Sequence, residues 1–99
     1  MKKGFSKWDA AEYLNTEEDM QLYLEACVDE DDGDGALIRA ALGDIAKAKN
    51  MRELAKKVGI SREGLYKALS EKGNPSFALI LRLSRALNMQ LKFSTEHPA

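Results

Sequence analysis

The sequence predicts a mainly α fold, a bundle of five to six helices that contains a helix-turn-helix and ends in a short C-terminal β-strand. Three observations carry this. Apolar residues recur at i, i+3, i+4 and i+7 in successive segments between Met20 and Leu87. Residues suited to an N-cap, Thr16, Asn50, Ser61 and Ser76, stand just before four of those segments. Met89, Leu91 and Phe93 then alternate with Gln90 and Lys92, the period of two that a half-buried strand requires. With 99 residues, 44% of them hydrophobic, the chain has material for one core. We expect one domain over residues 1–99, made of an acidic helical arm (1–34), a helix-turn-helix core (35–88) and a strand with its tail (89–99).

Taken in order, Phe5 and Trp8 belong to a basic start, and residues 9–14 have length for one or two helical turns before Asn15 and Thr16 interrupt them. Thr16 with Asp19 resembles a capping box built on the shorter acid. Met20, Tyr23, Leu24, Cys27 and Val28 follow on one apolar face. The run from Asp29 to Gly35 ends this helix: its carboxylates repel one another, and a glycine costs about 1 kcal/mol inside a helix. Those acids also favour the positive N-terminus of the next helix, where Ile38, Ala41, Leu42 and Ile45 set the stripe of residues 36–49. Met51, Leu54, Ala55 and Val58 make one short stripe. Leu65, Ala68 and Leu69 make another, after the link Gly59-Ile60-Ser61. A loop through Gly73, Asn74 and Pro75 leads to Ser76 and a last stripe of Phe77, Ile80, Leu81, Leu83 and Leu87, with Asn88 as its stop.

Charge divides the chain. Residues 1–34 hold three lysines against eleven acids, a net −8; residues 35–99 hold twelve Lys and Arg against five acids, a net +7. A polyanion meets the second half. Neither an apolar run of membrane-spanning length nor a leader pattern is present, so a cytoplasmic protein without membrane contact is expected. One cysteine, Cys27, and one histidine, His97, cannot assemble a zinc site or a histidine triad, and no cofactor, metal or catalytic residue is expected. The acids from Glu30 onward echo a calcium loop, but its twelfth position is Ala41, where a bidentate glutamate belongs. Trp8, Tyr13 and Tyr23 sit among acids and suit a core or a protein partner better than a base stack.

The strongest signal lies in residues 50–70. Asn50 and Glu53 suit a reciprocal cap, Ala55 is small where two helices cross, Gly59 suits a left-handed turn, Ile60 plugs the corner, and Ser61 caps the second helix. With Leu65, Ala68 and Leu69 inward, Arg62, Glu63, Tyr66, Lys67 and Ser70 turn outward, as a major-groove reading helix requires. Arg62 has the fork that matches guanine, Lys67 reaches guanine or phosphate, and the hydroxyls of Ser61, Tyr66 and Ser70 suit phosphate oxygens. Arg52 and Lys72 are placed to clamp phosphates at the flanks. A homodimer on a two-fold-symmetric operator is expected, paired through the lone strand with Leu91 and Phe93 buried in the interface.

At these residues the chain resembles the helix-turn-helix antitoxins called addiction-module antidote proteins, within the phage-repressor and Cro-like group. The likeness extends over WDAAEYLNTEEDM, ALGDIAKAKN, SREGLYKALS, GNPSF and LNMQLKF, nearly the whole chain. It implies a type II antitoxin that neutralises a small basic toxin of the RelE/ParE type and, as a dimer, represses its own operon. On that implication and on the −8 charge, Glu17, Glu18, Asp19, Tyr23 and Glu25 are the candidate toxin contacts. The competing reading is a stand-alone phage-type repressor with no toxin partner, for which the long acidic arm has no evident use. An enzyme is the third class, and the scattered surface carboxylates give it no support.

Overall fold

The computed structural model describes residues 10–95, so Phe5, Trp8 and Asp9 lie outside the described residues. A 3₁₀ helix, Ala10–Tyr13, precedes five α-helices: α1 (Glu17–Glu30), α2 (Ala36–Lys49), α3 (Met51–Val58), α4 (Arg62–Ala68) and α5 (Phe77–Ala86). The caps form where the side chains predict them. Thr16 Oγ1 accepts from the Asp19 N–H at 3.0 Å while Asp19 Oδ2 accepts from the Thr16 N–H at 3.2 Å, a complete capping box. Ser76 Oγ accepts from the Leu79 N–H at 3.0 Å and starts α5. At its far end Asn88 takes φ +63°, the left-handed stop for which asparagine is suited.

Ile45 of α2, Leu65 of α4 and Leu83 of α5 have no solvent exposure and form the middle of the core. Leu54, Val58, Leu69 and Leu87 close around them, and Leu14, Met20 and Leu42 extend the same cluster toward α1. In contact terms α1 lies along α2, α3 lies against both α4 and α5, and the 3₁₀ helix rests on α2. No helix among the described residues is long and apolar enough to cross a membrane.

Three expectations are corrected. Residues 89–95 form no strand: among the described residues no neighbouring segment offers a ladder, and Leu91, Lys92 and Phe93 are all exposed, so the alternation marks no buried face. Phe77 is 63% exposed and does not belong to the core stripe of α5, which runs through Leu79, Leu83 and Leu87. As the first helical residue, its side chain leans back past the end of the helix. Val28 is 49% exposed, because Cys27 holds the seam with α2 on that turn.

Candidate nucleic-acid interface

Two short helices meet at a right place for close packing because the turn between them is held by backbone alone. The Gly59 N–H donates to the Ala55 carbonyl at 2.9 Å and the Ile60 N–H to the same carbonyl at 3.1 Å. This requires φ +85° at position 59, which glycine adopts without strain. Asn50 Oδ1 accepts from the Glu53 N–H at 3.2 Å, and Ser61 Oγ accepts from the Gly64 N–H at 2.9 Å, so each helix has its own cap. Ala55 is buried at the crossing, and Ile60 packs against the core from the corner.

Leu65 and Leu69 point inward and Ala68 is half-buried, which leaves Arg62, Glu63, Tyr66 and Lys67 exposed along the outer side of α4. Arg52, Ser61 and Lys72 are exposed as well. Ser70 is only half-exposed, and its hydroxyl donates to the Lys67 carbonyl at 2.7 Å, so it offers a ligand its lone pairs and not its proton. Apart from Ser70, the predicted reading residues are exposed, and four of them lie along the outer side of α4. An arginine fork, a lysine, a carboxylate and a phenol on one helix can pair with base edges and with phosphate oxygens.

The five acidic-arm candidates divide. Glu18 and Glu25 are exposed on α1, with Glu25 Oε2 accepting from Gln21 Nε2 at 2.8 Å. Glu17 pairs with Lys49 of α2 at 2.8 Å. Asp19 is engaged in the cap. Tyr23 turns toward α2, where its hydroxyl donates to Asp44 Oδ2 at 2.6 Å. Burial, and then the Asp44 carboxylate, push the Tyr23 phenol well above its ordinary pKa, and burial pushes the neighbouring Cys27 thiol up too. The apolar groups left on the outer side of α1 are Leu22 and Val28.

Two further residues, Asp31 and Arg39, tie loops to α2. Asp31, first residue after α1, accepts from the Gly33, Gly35 and Leu37 N–H groups at 2.8, 2.9 and 2.9 Å and so carries the chain into α2. Hydrogen bonds from Gly35 and then Gly33 hold its carboxyl below the usual range. Arg39 of α2 reaches the loop after α4. The acidic run was expected to favour the start of α2, but nothing in the sequence singled out Asp31 among its five acids, and Arg39 acts across 31 and 32 residues.

A family model described as a probable addiction module antidote protein matches residues 4–95. An uncharacterized protein of Haemophilus influenzae strain Rd is 50% identical over 92 residues, which cover 93% of this chain and 93% of that one. No solved structure matches.

Proposed function

The chain belongs to the probable addiction module antidote protein family, and from that premise we propose that it is a non-enzymatic, cytoplasmic, DNA-binding antitoxin of a type II module. In this reading α3 and α4 act as a helix-turn-helix that represses the module's own operon. The observation that carries it is the two-sided build of α4: Leu65 has no exposure behind, and Arg62, Glu63, Tyr66 and Lys67 are exposed in front. Arg62 reads a guanine edge, Lys67 reaches guanine or phosphate, Glu63 accepts from a cytosine amino group, and Tyr66, Ser61, Arg52 and Lys72 hold phosphates. A second copy completes a palindromic operator, with the exposed Leu91 and Phe93 supplying apolar contact between copies.

The antidote family implies a toxin. We place a small basic toxin of the RelE/ParE type on the outer side of α1, where Glu18, Leu22 and Glu25 follow one another at helical spacing and are exposed. Charge steers the encounter and the apolar residue contributes contact area. Tyr23, tied to Asp44, supports the docking of α1 on α2 instead.

The experiment has two arms. In gel titration against the module's upstream DNA, Arg62→Ala loses about 1–3 kcal/mol of specific binding and relaxes preference at one base pair. Lys72→Ala weakens operator and scrambled DNA alike. Unchanged operator affinity for Arg62→Ala removes α4 as the reading helix. In growth assays with the toxin co-expressed, Glu18→Lys with Glu25→Lys abolishes rescue while leaving repression intact. Charge reversal is preferable to deleting the arm, because Met20 and Cys27 are buried in the fold.

A further inference from the structure

Arg39 lies on α2, outside both helices of the hairpin, yet its guanidinium grips the loop that follows α4. Nε donates to the Ser70 carbonyl at 3.0 Å and Nη2 to the Glu71 carbonyl at 2.8 Å. The loop is also held from within. The Gly73 N–H donates to the Ser70 carbonyl at 2.9 Å, and Gly73 passes so close beneath α4 that a Cβ there would overlap the Ala68 carbonyl. The Ser70 hydroxyl takes the Lys67 carbonyl.

These contacts change the electrostatics of the loop just beyond α4. A helix C-terminus presents unpaired carbonyls and a partial negative charge, which repels an anion. Here the Lys67, Ser70 and Glu71 carbonyls each accept from a donor, and a cation supplies the donors for two of them. Beside them lies an open hollow of about 440 Å³ whose lining includes Lys67, Lys72, Gly73 and Asn74. Lys67, Lys72 and Asn74 thus border one hollow beside a loop whose Ser70 and Glu71 carbonyls are already taken up by the Arg39 guanidinium. A tetrahedral monoanion is the ligand this chemistry takes, and on a DNA-binding face that anion is a phosphodiester.

We infer that Arg39 is a positioning residue for DNA binding: it staples the 70–74 loop to α2 so that Lys67 and Lys72 form one preformed seat for a backbone phosphate of double-stranded DNA. The inference rests on the proposed reading of α4 as the DNA-contacting helix. Preorganisation raises affinity by removing the cost of ordering the loop on binding.

The test is Arg39→Lys in the full chain, titrated against a duplex of the module's upstream region and a scrambled duplex of the same length. Lysine keeps the charge but cannot place two fixed N–H donors on two successive carbonyls. Affinity for both duplexes falls about five- to tenfold, and the salt slope shrinks by about one phosphate contact. In a Lys72→Ala background the further loss is under about twofold, because the two residues act as one unit. In the free protein, hydrogen exchange at the Gly73 amide accelerates. Wild-type affinity in Arg39→Lys, or losses that add fully with Lys72→Ala, overturn the inference. Should Arg39→Lys fail to fold, Gly73→Ala, which displaces the same loop from the α4 side, decides by the same readouts. A wild-type chain that binds neither duplex removes the DNA reading and this inference together, whereas wild-type binding with an unaffected variant removes the inference alone.

Discussion

The acidic helix α1 and the basic pair α3–α4 are attached to the rest of the molecule by different means. Along α1 only Met20 and Cys27 are buried; the remaining attachment includes the Tyr23–Asp44 hydrogen bond, the Glu17–Lys49 pair and the Asp31 cap that turns the chain into α2. The α3–α4 pair buries Leu54, Ala55, Val58, Leu65 and Leu69. Apolar burial is indifferent to pH and weakly sensitive to salt, while carboxylates and phenols titrate. The basic half therefore has a rigid back that leaves its charged front free to vary. The acidic half uses some of its charged and polar side chains to stay in place, so its surface and its docking are not independent.

The strongest test of this contrast is Leu65→Ala. With no exposure and packed in the centre of the core, Leu65 is expected to contribute about 2–5 kcal/mol, read as a shift in the urea midpoint at unchanged slope. The proposed DNA binding is expected to be lost with the fold, although Leu65 faces the core and not a ligand. A loss below about 1 kcal/mol would mean that the α3–α4 pair is not held by its core.

A smaller effect sharpens the other side. Tyr23→Phe removes the donor from Asp44 and is expected to cost about 1–2 kcal/mol. The fold favours the neutral phenol, whose pKa burial and Asp44 raise above the ordinary value of about 10. Its contribution is therefore complete below about pH 10 and fades as pH rises beyond that, where the unfolded chain ionises first. The stability gap between wild type and Tyr23→Phe, followed by urea titration from neutral to alkaline pH, closes on the alkaline side. A gap that persists there would show that the cost is packing and not the hydrogen bond.

Asp31→Asn gives the smallest change. Because backbone N–H groups hold the Asp31 carboxyl low, its stabilisation is present above the unfolded value of about pH 4 and is lost as pH falls through the lower folded value. Partial exposure to solvent screens it, so the effect on the melting temperature near neutral pH is slight. Thermal melts on the acid side separate the two chains by slope: wild type loses stability through this group as pH falls, and the variant does not. Parallel acid limbs would assign the turn into α2 to the glycines alone.

What was legible in the sequence is what acts over three or four residues. Thr16 with Asp19, Asn50 with Glu53, Ser61 with Gly64 and Ser76 with Leu79 are local pairs, so the beginnings of four of the five helices could be placed from side-chain chemistry. Gly59 is local too, since a three-residue link between two capped helices leaves one position for positive φ. Outward placement of Arg62, Glu63, Tyr66 and Lys67 followed from the inward stripe by the period of the helix. Ser70 marks where that argument stops, because α4 ends at Ala68 and the helical period no longer sets its direction.

The sequence by itself therefore determined the helices, their caps and the charged front of α4, because each depends on neighbours in the chain. Tertiary structure alone decided that Tyr23 faces Asp44 across 21 residues, that Glu17 meets Lys49 across 32, and that Arg39 holds the carbonyls after α4. It also decided that residues 89–95 stay irregular, for a strand is a property of two segments and an alternating pattern describes one. Contacts of that kind depend on which helices come to lie side by side, and no spacing within a single helix encodes it.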